Sequence, residues 1–183
     1  QMSANHPEDA QAFAERIAAV FATPFQVQEQ AVTLTASIGY SIFPTDTPER
    51  DQVLGMVDIL KTDAVEAEFL TGTADIRQAA KTLAALGPRE IVLTHKDGLL
   101  VLAKGSYQEA GFHPVELRGR SGRGDTCVGS YASKRISAEP AEATRWAAAL
   151  TSLKLEAEGP IRRSREDVER LIRVLHRLVD GGH

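Results

Sequence analysis

The run from Gly119 to Val128, Gly-Arg-Ser-Gly-Arg-Gly-Asp-Thr-Cys-Val, holds residue types that can do chemistry at a spacing suited to it. Three glycines at a strand-to-helix junction let backbone N–H groups converge on an anion without interference from Cβ. The helix that follows aims the positive end of its dipole at the same place. Gly122, Arg123 and Gly124 thus make a candidate anion hole, and Asp125 at the helix start is a candidate general base for whatever attacks a bound phosphate. A tight loop closed by an Asp cap satisfies the same residues. Cys127, the only cysteine, excludes an internal disulfide and reads as a packed small side chain rather than a nucleophile.

Other chemistries find little support. His6, His95, His113, His176 and His183 lack zinc-ligand spacing, and no Gly-Lys-Ser/Thr follows a glycine loop. A net charge of −4, with acids and bases interspersed, argues against nucleic acid and against a polybasic membrane anchor. No apolar run approaches the roughly 20 residues needed to cross a bilayer, and the opening residues lack a signal-peptide pattern, so no membrane and a cytoplasmic location are expected. With 183 residues and 43% hydrophobic content, the chain fits one domain or two small ones with a real core.

The elements that must position the glycine run follow from periodicity. Asn5-His6-Pro7 opens a helix carrying Ala10, Phe13, Ala14, Ile17, Val20 and Phe21 at helical spacing. After Pro24 the pattern turns to period two: Phe25 to Gln28, a turn at Glu29-Gln30, then Val32 to Ile42 with one buried face, which predicts a hairpin. From about Val57, short apolar strands alternate with helices, the mark of a layered α/β arrangement. The strands are expected at 57–60, 90–94, 99–103 and 113–117. Helices are expected from Asp63 to Thr71, through Ile76 to Leu83, around Trp146 and around Leu171, the last with Ser164 and Asp167 as a capping box.

Two family resemblances accompany this pattern. Ala14 to Ile17, Pro24-Phe25, Leu34 to Tyr40 and Phe43 to Asp46 are similar to the later part of a GGDEF (diguanylate cyclase) domain, over about residues 1–50. The family's signature loop is absent, so cyclase activity and cyclic-dinucleotide signalling do not carry over. Residues 57–183 resemble the C-terminal half of the ribokinase-like PfkB carbohydrate kinases. Val57 to Glu66 and Leu70-Thr71-Gly72 look like that family's strand and N-x-x-E region, and Thr94 to Gly98 like its nucleotide-side turn. Gly122-Arg123-Gly124-Asp125 looks like its G-A-G-D signature, and Ala148 to Pro160 like the ATP-side helix and loop.

The resemblance implies half of a ribokinase-like layered α/β sheet with flanking helices, preceded by the N-terminal helix and β-hairpin. It implies ATP as phosphoryl donor and a sugar or related alcohol as acceptor. Asp125 would take the hydroxyl proton, with Gly122, Arg123 and Gly124 as anion hole, Thr94 and Lys96 on the nucleotide, and Glu66 holding Mg²⁺ through water. Asp63 stands where the family has asparagine, Arg123 where it has alanine, and Gly119-Arg120 where it has Asp-Thr. The family's N-terminal half, with most sugar-binding residues and the first strands of the sheet, has no counterpart here. A sheet interrupted in this way exposes an apolar edge, so residues 25–43 or a second copy of the chain are expected to cover it. A non-catalytic chimeric scaffold that keeps only a nucleotide or phosphate pocket is the alternative to an active kinase.

Overall fold

The structure is a computed structural model that describes residues 7–27, 30–33, 54–119, 121–159 and 161–180. The chain divides into two compact units, Gln1–Val53 and Leu54–His183. In the first, α1 (Pro7–Phe21) begins on a proline, whose missing N–H costs nothing in the first helical turn. It is followed by a short hairpin in which β1 (Phe25–Val27) pairs antiparallel with β2 (Gln30–Val32) and Phe25 lies opposite Val32. Gln30 is therefore the first residue of a strand rather than part of the turn. Residues 34–43, which the expected hairpin also includes, lie outside the described residues, and so does the expected covering of the sheet edge by that segment.

The second unit is built on a four-stranded sheet in the order β3 (Ile59–Asp63), β4 (Glu90–Thr94), β5 (Gly98–Ala103) and β6 (Ser106–Gly111). β3 and β4 run parallel, Ile59 opposite Glu90, and are joined through α2 (Ala64–Thr71) and α3 (Ile76–Ala84). β4, β5 and β6 form an antiparallel meander. Three helices complete the unit: α4 (Arg123–Arg135), α5 (Pro140–Leu155) and α6 (Arg165–Asp180). No helix among the described residues is long and apolar enough to cross a membrane.

Two expected strands are displaced. The one expected at 57–60 runs from Ile59 to Asp63, because backbone pairing with β4 continues until Asp63 caps the next helix. The one expected at 113–117 is not a strand; the chain there is irregular, and β6 lies at Ser106–Gly111 instead. The cause is the two-residue turn at Lys104 and Gly105, both at positive φ (51° and 74°), which returns the chain at once to pair with β5. Beyond β6 the chain leaves the sheet, and the N–H groups of Arg118 and Gly119 donate to the Leu155 carbonyl at 2.9 and 3.1 Å.

Burial explains why β4 and β5 read as unbroken apolar runs: both faces are covered. Ile91, Leu93, Leu100 and Leu102 face Ala67 of α2 and Ala79, Ala80 and Leu83 of α3. Their neighbours Val92, Leu99, Val101 and Ala103 face Cys127 and Tyr131 of α4 and Ala143 and Ala147 of α5. Burial pushes the Cys127 thiol up to about 11, against the smaller opposing effects of Thr151, Lys61 and Arg123. It is a neutral packing group at ordinary pH, as its sequence position suggests.

Caps fix the helix ends. Asp63 accepts from the Glu66 N–H at 2.9 Å while the Glu66 carboxylate accepts from the Asp63 N–H at 2.8 Å, and Gly72 closes α2 in the left-handed region at φ 74°. The capping box expected at Ser164 and Asp167 forms with 3.2 and 3.0 Å hydrogen bonds. Gly98 is required by close approach, since a Cβ there would lie 2.5 Å from the Ala110 carbonyl oxygen. Gly98→Ala should force β5 and β6 apart and destabilise the second unit by about 1–3 kcal/mol, as read by urea denaturation.

Candidate active site

A cleft of about 320 Å³ opens where the C-terminal ends of the parallel strands β3 and β4 meet the N-terminus of α4. This is the end of an α/β sheet at which ligands ordinarily bind. Lys61 and Asp63 contribute from β3, Thr94 from the end of β4, and Gly122, Arg123, Gly124 and Asp125 from the start of α4.

The glycines shape the cleft in separate ways. Gly122 is the N-cap of α4 at φ 74°, ψ 11°, a conformation that favours glycine, and no side chain caps the helix. Thr126 N–H donates to the Gly122 carbonyl at 3.0 Å, so the ladder of α4 starts there and the N–H groups ahead of it have no intrahelical acceptor. A Cβ on Gly124 would sit 3.1 Å from Lys61 Nζ and 3.2 Å from its Cε. The bare glycine therefore lets the Lys61 ammonium lie against the helix start, adding a full charge where the dipole already favours an anion.

Of the residues singled out in the sequence, Thr94, Gly122, Arg123, Gly124 and Asp125 line this one cleft. Glu66 and Lys96 are not among the residues that line it. The Glu66 carboxylate instead accepts from the Asp63 N–H and, at 3.4 Å, from the Thr62 hydroxyl, with Lys61 Nζ 3.8 Å away. Lys96 lies exposed in the turn between β4 and β5. Asp63 enters the sequence reading only through the family's N-x-x-E region, where it adds an acid near the metal, and Lys61 is not expected in the cleft at all. Their signal is the i, i+2 spacing that places two polar side chains on one side of a strand end, hidden when the strand is taken to stop at Leu60.

The cleft can hold a polyanion. Lys61 and Arg123 supply charge, the helix start supplies backbone donors, and the Thr94 hydroxyl belongs to a fully buried residue at the cleft wall. Asp125 places a carboxylate at the helix start in an exposed position. Among the described residues no group of three or more His, Cys, Asp or Glu side chains could cage a metal. Asp63 and Asp125 nevertheless offer hard oxygen donors, a set that suits Mg²⁺ carried largely by phosphate and water.

Residues 7–167 match the model of the pfkB family carbohydrate kinases. Among solved structures, the chain is 38% identical to a pyrophosphate-dependent kinase of the ribokinase family, complexed with a pyrophosphate analogue and myo-inositol. That match covers 66% of this chain and 43% of the other, with a TM-score of 0.60. Arabidopsis thaliana ribokinase, complexed with ribose and ATP, is 25% identical over 67% of this chain and 43% of its own, again with a TM-score of 0.60. The aminoimidazole riboside kinase of Salmonella enterica, 21% identical over 67% and 44%, with a TM-score of 0.57, shares the fold. The chain spans less than half the length of each of these structures. No curated protein matches it.

Proposed function

Because the chain belongs to the pfkB family of carbohydrate kinases, we propose that its second unit is the phosphate-handling part of a kinase that phosphorylates a hydroxyl of a sugar or related polyol. The observation that carries this reading is the meeting, in one cleft, of Asp125, the glycine-bounded start of α4, Lys61, Arg123 and Thr94. Asp125 accepts the proton of the acceptor hydroxyl as its oxygen forms a bond to the donor's terminal phosphorus. The bond from that phosphorus to the bridging oxygen breaks, and the remaining phosphate leaves with the electron pair. N–H groups around Gly122, Arg123 and Gly124 meet the charge on the equatorial oxygens. Mg²⁺, when bound with the donor near Asp63 and Asp125, supplies further charge neutralisation. Glu66 acts on this site by holding Asp63 and Lys61 in place.

ATP is the donor implied by the family resemblance, and ribokinase from Arabidopsis thaliana is seen with it. Pyrophosphate is the second reading, favoured by Arg123 and Lys61 together on the cleft wall and by the pyrophosphate dependence of the 38% identical kinase. Either donor fits a cytoplasmic setting. The first unit is read separately as a GGDEF-like helix and hairpin with no catalytic part. Nothing favours a purely non-catalytic scaffold, because an acid is kept beside the anion hole where turnover would need it.

Calorimetric titration of the full chain with ATP and with pyrophosphate, with and without Mg²⁺, tests the reading. Lys61→Ala should weaken binding of the preferred donor by about 10- to 100-fold, the usual worth of a hydrogen bond to a charged group. Failure of the unsubstituted chain to bind either donor would sink the proposal.

A further inference from the structure

Lys154 lies in the last turn of α5 and is only 5% exposed, an uncommon setting for a residue that carries a full charge. Its ammonium donates to the Ala157 carbonyl at 3.2 Å and, among the described residues, pairs with no carboxylate. The C-terminal end of α5 favours a cation, which accounts for part of this placement. The rest runs against the same physics. Lys154 Cε lies 3.9 Å from where a Cβ on Gly122 would stand, so the side chain packs against the positive start of α4. An ammonium buried between one carbonyl and a helix N-terminus keeps donors without a protein acceptor, at a cost in folding free energy. The chain that enters α4 is docked on the same end of α5. The N–H groups of Arg118 and Gly119 donate to the Leu155 carbonyl, and a Cβ on Gly119 would lie 2.6 Å from the Ala157 carbonyl oxygen. Lys154 thus meets both ends of the glycine run, Gly119 through the Ala157 carbonyl and Gly122 through its own stem.

Resting on the reading of the cleft given above, we propose that Lys154 is a positioning residue of the phosphate site. Its buried ammonium holds the run from Gly119 to Gly122 in place and adds positive potential at Gly122, where a phosphate of the donor binds. Lys61 and Arg123 line the cleft and Lys154 does not, so it acts from behind, through the backbone at the start of α4. A polyanion in the cleft supplies the counter-charge that the folded chain itself does not, and the anion and the ammonium stabilise one another across that backbone. Burial makes the effect large for a charge that touches no ligand, because little water screens it, and the fixed position needs no rearrangement when the donor arrives. A lysine that served only to cap α5 would contribute to stability and leave donor binding alone.

The test is Lys154→Met in the full chain, which keeps the stem and removes the charge. Thermal melting is measured without ligand, and donor affinity by calorimetric titration with pyrophosphate and with ATP, each in Mg²⁺. Melting is expected to stay the same or rise, as when a buried charge gives way to an apolar side chain of similar size. Affinity for whichever donor the unsubstituted chain binds should fall about tenfold, the effect of one charge several ångströms away in a protein interior. Lys154→Ala should weaken binding likewise and recover part of it in methylammonium chloride. Tetramethylammonium chloride at the same ionic strength should restore nothing, since its cation is larger and has no N–H. Lower melting in Lys154→Met with unchanged donor affinity overturns the proposal, and so does a Lys154→Ala protein that methylammonium fails to restore. The two readings fail differently: equal donor binding by Lys154→Met and the unsubstituted chain removes the role of Lys154 alone, whereas an unsubstituted chain that binds neither donor removes the kinase reading and this role with it.

Discussion

Asp125→Asn is expected to lower kcat for phosphoryl transfer by about 10²- to 10⁴-fold in any assembly that turns over, the span attributable to a positioned general base, while donor affinity stays within about threefold. The asymmetry follows from position. Asp125 belongs to the first turn of α4 and carries a negative charge, so it contributes nothing attractive to a polyanion. That attraction comes from Lys61, Arg123 and the backbone donors of the same helix start. Removing the carboxylate takes away the proton acceptor and slightly eases anion binding. Steady-state kinetics with donor titration separates the two substitutions: Asp125→Asn acts on kcat and Lys61→Ala on donor affinity. An Asp125→Asn variant that retains its kcat would assign the proton to another group.

Glu90→Ala is expected to cost about 3 kcal/mol of stability, the low end for breaking a buried ion pair, because Arg135 keeps 21% side-chain exposure. Glu90 opens β4 and is only 8% exposed. It accepts from the Tyr131 hydroxyl at 2.6 Å and from Arg135 Nη2 at 2.7 Å, while Arg135 Nη1 donates to the Ala138 carbonyl at 2.6 Å. The substitution leaves a buried phenol without its acceptor and a guanidinium with one partner fewer. Burial pushes the Glu90 carboxyl up, but the hydrogen bonds from Arg135 and Tyr131 outweigh it and hold the pKa below its ordinary 4.5. A group depressed in the folded state contributes stability above its unfolded pKa and loses it as pH falls through the folded one. The difference between the two proteins should therefore be full above about pH 4.5 and shrink below it, as measured by urea denaturation across that range. Replacing Glu90 and Arg135 together with leucine and methionine should restore much of the loss, since the double change strands no charge.

Legibility in the sequence tracked how local each determinant is. The α2 cap and its Gly72 stop, the buried face of α3 and the Ser164–Asp167 box depend on residues within four positions of one another, and all lie where the sequence puts them. The apolar runs of β4 and β5 were equally plain, because burial on both faces leaves no polar residue to break them. β6 was hidden because Ser106 to Gly111 is an edge strand with a polar, half-exposed pattern, and because Lys104-Gly105 is a weaker turn signal than Asn-Gly. In the site, Asp125 and its glycines stand together in the chain and were seen together. Lys61 reaches them only through the fold, laid against Gly124 by the parallel pairing of β3 with β4. Glu66 also stands close in sequence to its partner, its carboxylate accepting from the Asp63 N–H at the start of α2.

The division of the second unit's interior by its sheet also bears on how the chain emerges from the ribosome. Every residue of the core shared by α2, α3 and the sheet lies before Gln108, so that layer can close while the rest is still being made. The opposite face, Val92, Leu99 and Val101, is not fully covered until α4 and α5, through Ala147, have been synthesised. At about 5–20 residues per second this leaves an apolar sheet face bare for several seconds. That interval is the natural moment for a chaperone to bind or for nascent chains to aggregate.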